Sequence, residues 1–369
     1  MTANNLGNKP IGVALAGLGF GEAVHLPAIK ANPDLEVVAL WHPRRERLDQ
    51  ACSDHGLSGE SDWTALLNIP EVEAVIIATP PAPRFELAQT ALEAGKHLLL
   101  EKPVALDSHD VASLQRLALK QGLSVAVDFE YRAVPLFMQA KRLLEEGAVG
   151  TPWLVKLDWL MSSRANADRP WNWYSQAEEG GGVIGALGTH AFDMLHWLIG
   201  PTRQITGQLS TSIRERPDPT AAGMRPVSSA DVALAQLQLE DIQGQRIPAQ
   251  VNLAAVARHG RGCWLEIYGS EGTILLGSDN QKDYVHGFGL WTAAAGEQLR
   301  SISPDADLSF PTTWSDGRIA PVTRLLGWWV DSIRTHRPMV PGLSEGFSSQ
   351  QVCDRLMESA EAGQSLTIV

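Results

Sequence analysis

The sequence predicts a two-domain protein of α/β plus α+β class. Residues 1–130 are expected to form an N-terminal doubly wound parallel sheet, and residues 131–369 a C-terminal domain built on a largely antiparallel open sheet. Three observations predict this. Short apolar runs alternate with helical segments through the first 130 residues, the pattern of a parallel sheet covered by helices on both faces. Beyond Gly150 strand-like runs recur with few helices between them, as in hairpin-connected sheets. The 369 residues also suit two ordinary domains.

Ile11–Ala16 is a continuous apolar run ending at a glycine, which reads as a buried parallel strand. A helix is predicted over 22–31, stopped by Asn32-Pro33-Asp34. Residues 36–41 form the next strand and 44–55 the next helix. Residues 74–78 form a strand bounded by Thr79-Pro80-Pro81, and 85–94 a helix closed by Gly95. A strand at 97–100, a helix at 108–121 and a strand at 124–127 complete this half. Strands in the second half are predicted at 153–160, 205–213, 230–238, 249–255, 263–268 and 273–276. Residues 278–320 are rich in Gly, Ser and Asp and read as an irregular excursion. Helices near 322–335 and 348–362 are expected to pack back on the body.

The chain is 44% hydrophobic and 20% charged, the balance of a globular protein. Its net charge of -12 argues against a broad surface for nucleic acid or anionic membrane. No apolar run approaches the roughly 18–20 residues that span a bilayer, and residues 1–10 are polar, without a leader's apolar stretch. A cytosolic location is the expectation. Cys52, Cys263 and Cys353 are widely spaced, suit a reducing compartment and show no metal-ligand spacing, so no metal is expected.

Gly17-Leu18-Gly19-Phe20-Gly21 lies where a strand turns into a helix. Glycines there permit a tight turn and let backbone N–H groups approach a pyrophosphate, the Rossmann arrangement. The third glycine of that fingerprint is replaced by Glu22. The second strand normally ends in an acidic residue that binds the adenosine ribose. Here the run is Trp41-His42-Pro43-Arg44-Arg45-Glu46-Arg47, with His42 in the acidic position. Arginine suits a 2′-phosphate through its charge and planar fork. His42, Arg44 and Arg47 therefore favour NADP(H) over NAD(H), the alternative being that the arginines simply start a solvated helix.

Further motifs follow in order: His25-Leu26-Pro27-Ala28, Ala78-Thr79-Pro80, Ala94-Gly95-Lys96-His97, Glu101-Lys102-Pro103, Arg132 with Pro135, and Gly147-Ala148-Val149-Gly150. Then come Gly180-Gly181-Gly182, Gly188-Thr189-His190 with Asp193, and Tyr268-Gly269-Ser270-Glu271-Gly272-Thr273. With the glycine loop, this series resembles the Gfo/Idh/MocA family, the relatives of glucose-fructose oxidoreductase and inositol dehydrogenase, over nearly the whole chain.

The resemblance implies a hydride transfer between a nicotinamide cofactor and the carbinol or carbonyl carbon of a sugar, polyol or related small molecule. It implies that Lys102 lies beside nicotinamide and substrate, where its ammonium stabilises developing alkoxide charge, and that the bond to Pro103 is a candidate for the cis form. Gly17, Gly19, Phe20, Gly21, Thr79, Pro80 and Glu101 belong to the implied cofactor site. His190 would act as acid/base, its ordinary pKa suiting reversible proton transfer. Asp193, one helical turn on, either orients His190 or serves the helix. Arg132 and Trp171 are further substrate-site candidates, the indole as a stacking wall, and Arg84, Arg132 and Arg164 are candidates for an anionic substrate group.

Three positions depart from the family pattern. Ala186 stands where many relatives carry Asp, Pro81 where Asn is common, and Arg84 where His is common. The first favours an alternative, a nucleotide-binding sensor without turnover. A half-covered antiparallel sheet needs a partner, and in similar proteins this face forms dimers or tetramers, so a homodimer or homotetramer is expected.

Overall fold

The computed structural model describes residues 9–280 and 286–368. The reading of residues 1–8 as leaderless and part of the 278–320 stretch lie outside the described residues. Among those described, no helix is long and apolar enough to cross a membrane.

The first half contains β1 (Ile11–Ala16), α1 (Leu26–Ala31), β2 (Leu35–Trp41), α2 (Arg45–His55), β3 (Ser58–Glu60), α3 (Trp63–Leu67), β4 (Ala74–Ile77), α4 (Arg84–Glu93), β5 (His97–Leu100), α5 (Ser108–Gln121) and β6 (Val125–Val127). Its strands pair in the order β3-β2-β1-β4-β5-β6, all parallel. Every residue of β1 is buried. Val13 and Leu15 join one apolar cluster and Ala14 and Ala16 the other, because alternate strand residues point to opposite faces. This is the doubly wound sheet that the alternation predicts.

The chain continues through α6 (Pro135–Glu145), β7 (Pro152–Leu160), α7 (Thr189–Leu198), β8 (Thr202–Ser210), β9 (Glu215–Pro217), β10 (Met224–Pro226), β11 (Val232–Glu240), β12 (Arg246–Ala254), β13 (Gly262–Gly269), β14 (Gly272–Ser278), β15 (Gly289–Ala294), β16 (Arg300–Ile302), α8 (Ile319–Thr335), α9 (Leu343–Ala362) and β17 (Leu366–Thr367). Nine strands form an open sheet in the order β16-β15-β14-β13-β7-β12-β11-β8-β17. Only β7 and β12 run parallel within it; the other neighbours are antiparallel. Phe137 and Ala140 of α6, Phe192 and Leu195 of α7, and Leu356 of α9 cover one face. α8 returns to the first sheet, where Trp329 and Leu325 complete the core around Val13 and Leu15.

Several elements differ from the sequence expectation. Residues 278–320 are not wholly irregular: β15 and β16 extend the large sheet there. β15, Gly-Leu-Trp-Thr-Ala-Ala, holds only two short apolar pairs broken by Thr292, too short to register as a strand pattern. The segments β3, α3 and α6 were not expected. The helix predicted over 22–31 begins instead as a π-turn at Gly21–His25 that leads into α1. α9 starts at Leu343, earlier than the 348 expected, because Glu345 reaches back to accept a hydrogen bond from the Gly342 N–H at 2.8 Å.

Candidate active site

The C-terminal ends of the parallel strands share one edge, and the large sheet's β7 and the start of α7 face it. Between them lies a cleft of about 980 Å³. Gly17, Gly19 and Phe20 border one end, with His42, Arg44 and Arg47 beside them; Lys102, Glu130 and His190 border the other. This location follows from the sheet: ligands of doubly wound folds bind outside the carboxyl ends of the strands.

At the glycine end, Gly17 has φ +103, and a Cβ there would meet the Ala78 carbonyl oxygen at 2.5 Å. Only glycine fits that close approach. A Cβ on Gly19 would instead enter open space, so the protein's own packing does not require this glycine; room for a ligand accounts for it. Thr79 Oγ1 is buried without a hydrogen-bond partner among the described residues. Such a group costs free energy unless a ligand satisfies it. These features fit a bound dinucleotide.

Glu22, the unexpected acid, turns toward α2 and accepts from Arg47, with His55 Nε2 at 3.0 Å. Arg47 also donates to the Leu18 carbonyl at 3.0 Å. One nitrogen of its fork, Nη2, is therefore engaged within the protein, while the residue still borders the cleft beside His42. Arg44 differs. It is exposed, and its guanidinium has no partner among the described residues. Burial lowers the His42 pKa, with Arg44 and Arg47 adding to the effect, so the imidazole is neutral at pH 7. Its Nδ1 accepts from the Arg44 backbone N–H at 3.1 Å.

At the inner end, the Lys102–Pro103 peptide is cis. The loop carrying it is clamped by Arg84, whose guanidinium donates to the carbonyls of Glu101, Pro103 and Thr79. Arg84 is thus a buried structural clamp and not an anion-binding group; burial brings its pKa down to about 10. Lys102 Nζ donates to the Ala186 carbonyl at 3.1 Å. Position 186 thereby contributes through its backbone, although its side chain is only a methyl.

Behind Lys102, His25 Nε2 lies 2.9 Å from Glu101 Oε1 and 3.5 Å from Asp128 Oδ2. Burial opposes charge on Glu101, but His25 and Lys102 hold its carboxyl down at about 2. Burial and the neighbouring Glu101 and Glu130 push Asp128 up. Glu101 therefore belongs to a buried support behind the lysine while also bordering the cleft.

His190 lies at the start of α7 beside a π-turn, Ile184–Gly188. Its ring packs against Tyr131 and Phe129, at 5.0 and 5.9 Å between centroids. Burial and the charge of Lys102 hold its pKa well below the ordinary value, so it is neutral at pH 7. Its Nε2 is 3.5 Å from Glu130 Oε2. Burial chiefly, with help from Glu101, raises the Glu130 carboxyl to about 7.

Asp193 does not orient His190. Both its oxygens accept from Arg132, at 2.6 and 2.9 Å, and both residues are buried. Burial raises the Asp193 carboxyl to about 6 against the pull of Arg132. The two expected substrate residues thus bind each other, away from the cleft lining. Trp171 is also elsewhere: its Nε1 donates to the Pro226 carbonyl at 3.0 Å, and Arg225 stacks on its ring at 3.4 Å. Trp173, two residues on, borders the cleft instead. Arg164 stacks on Tyr174 at 3.9 Å. The sequence reading missed Glu130, Tyr131, Trp159, Trp173 and Arg318, all of which line the cleft. Glu130 and Tyr131 adjoin Arg132, so that motif was the available signal.

Residues 11–129 match the family described as an oxidoreductase family, NAD-binding Rossmann fold, and residues 141–368 match its C-terminal alpha/beta domain. The chain belongs to the Gfo/Idh/MocA oxidoreductase family. An uncharacterized oxidoreductase of Synechocystis sp. is 43% identical over 344 residues, covering 93% of this chain and 92% of the relative. Levoglucosan dehydrogenase of Pseudarthrobacter phenanthrenivorans is 27% identical over 299 residues, covering 74% and 75%. A levoglucosan dehydrogenase structure in complex with NADH and levoglucosan superposes with TM-score 0.87 at 25% identity, covering 98% of this chain and 100% of that one. This Gfo/Idh/MocA member is a nicotinamide-binding oxidoreductase, with its cofactor domain and largely antiparallel second domain meeting at the cleft.

Proposed function

We propose that this protein is a dehydrogenase acting on the carbinol or carbonyl carbon of a sugar, polyol or related small molecule, with NADP(H) preferred over NAD(H). The observation that carries the reading is that Lys102, Glu130 and His190 meet at one end of a cleft whose other end is the glycine loop. The aromatic walls Tyr131, Trp159 and Trp173 suit the apolar faces of a sugar ring. The levoglucosan complex of a relative supports the same class.

Gly17, Gly19, Phe20, Gly21, Thr79 and Pro80 would hold the dinucleotide, with His42 and Arg44 at its adenosine end. The nicotinamide, when bound, supplies the hydride acceptor or donor. Lys102, steadied by the Ala186 carbonyl, donates to the reacting oxygen and stabilises negative charge there. Neutral His190 accepts the hydroxyl proton in oxidation and returns it in reduction.

The NADP(H) preference rests on His42 at the usual acidic position and on the unpaired fork of Arg44. Calorimetry is expected to show tighter binding of NADPH than NADH. Arg44→Ala should weaken NADPH about tenfold, as for loss of one charge-assisted hydrogen bond, and leave NADH unchanged. Tighter NADH binding by the wild type would sink the preference. A panel of aldoses, ketoses and inosones with NADPH tests the reaction; tight NADPH binding without turnover would favour the sensor. The uncovered face of the nine-stranded sheet supports assembly as a homodimer or homotetramer, in the cytosol.

A further inference from the structure

Glu130 is an unusual neighbour for a buried imidazole. It begins a single 3-10 turn, Glu130–Ala133, that leaves β6 and enters the cleft floor. The residue is 5% exposed. The groups facing it come from each element packed around it: Glu101 and Lys102 after β5, Asp128 after β6, His190 on α7 and Arg318 before α8. Arg318 donates to Asp316 at 2.8 and 2.6 Å, so its charge is shared with that carboxylate. Glu130 Oε2 lies 3.5 Å from His190 Nε2. The residue borders the ligand space with Lys102 and His190.

His190 alone is a poor resting place for a proton. It is buried, Lys102 is near it, and its Nδ1 has no partner among the described residues to share an imidazolium's charge. A second acceptor is needed within reach of Nε2.

We propose that Glu130 is a proton-relay residue, exchanging with His190 Nε2 the proton that the substrate hydroxyl gains or loses. The inference rests on the dehydrogenase reading above. In oxidation the substrate O–H bond breaks, and its proton forms an N–H bond at His190 Nε2. That N–H then breaks as the proton forms an O–H bond at Glu130 Oε2, restoring neutral His190. The carbinol C–H bond breaks with its electron pair leaving as hydride to the nicotinamide oxidant, and the carbon–oxygen bond becomes a carbonyl. Reduction runs the same steps backward. Glu130 must therefore start ionised for oxidation and protonated for reduction. Its carboxyl, raised to about 7, can do either near neutral pH.

Carbon-13 NMR of protein labelled at the glutamate carboxyl gives a readout independent of turnover. A resonance present in the wild type and absent from Glu130→Gln or Glu130→Asp is expected to titrate near pH 7; titration at an ordinary glutamate pH overturns the relay. In kinetics, wild-type kcat/KM for oxidation should rise with pH through the neutral region. Glu130→Gln should abolish that ionisation and lower kcat about 10²-fold, with KM and NADPH affinity little changed. Glu130→Asp should recover part of the rate and the ionisation. A turning-over wild type whose Glu130→Gln variant keeps both kcat and pH profile overturns the relay but leaves the dehydrogenase reading intact. A wild type that turns over no substrate of the panel removes that reading, and the relay with it.

Discussion

At Lys102 the side chain and the backbone do separate jobs. The ammonium faces the cleft and the Ala186 carbonyl, while the flanking carbonyls of Glu101 and Pro103 are held by Arg84. Lys102→Ala should therefore remove charge from the site without releasing the loop. We expect turnover to fall by about 10²–10⁴-fold, with NADPH binding by calorimetry mostly retained; unchanged turnover would remove Lys102 from the mechanism. Lys102 and His190 were legible because each sits in a motif with distinctive neighbours. Glu130 was not. Its proximity to His190 is a tertiary contact across 60 residues of chain, and nothing in the run Glu-Tyr-Arg-Ala marks which side chain enters the cleft. Arg47 shows the reverse case: its charge was legible, but not that Glu22 would engage it.

The 3-10 turn Glu130–Ala133 sends consecutive side chains to different environments. Glu130 faces the cleft, Tyr131 joins the second domain's core, and Arg132 pairs with Asp193 of α7. The last pair fixes the start of α7, and hence His190, relative to the cofactor domain. Removing one partner of a buried, bidentate ion pair leaves the other uncompensated. Arg132→Ala is expected to destabilise the fold by about 3–5 kcal/mol, read as a lowered denaturation midpoint in urea. A loss below 1 kcal/mol would show that the pair is dispensable. Among elements, the apolar run of β1 and the alternating patterns of β7 and β11 were legible because burial imposes a pattern on the sequence itself. Short pieces such as β3, α3 and β16 were not, since three to five residues cannot display a period. The Gly-Ser-rich first turn of α9 hid its true start, because capping and packing there override weak helix propensity.

On the whole molecule, the face of the nine-stranded sheet opposite α6, α7 and α9 presents Leu154, Leu234 and Pro248 among Gln204, Gln236, Gln238 and Gln250. Apolar groups and neutral amides are mixed there, beside the Lys156–Asp158 pair, as at the boundary between the core and polar rim of a protein interface. Light scattering at micromolar concentration should give two or four times the 40.0 kDa chain, and Leu234→Asp should shift the population toward monomer. A wild type seen only as monomer would contradict the assembly. The division into two sheets was legible from the change in texture near residue 150, whereas the cleft was not, because it exists only where the halves meet.

The return of α8 has a consequence for how this protein can be divided. Trp329 and Leu325 supply part of the apolar layer against β1, although they lie about 200 residues beyond the last strand of that sheet. The cofactor-binding half is contiguous in its strands but not in its core. A fragment ending near residue 130 would lack that layer and leave Val13, Leu15 and Ile29 facing water. Domain transplantation at the apparent sequence boundary would thus carry over the nucleotide loop without the scaffold that keeps it in shape, and any exchange between relatives must take α8 along with the first sheet.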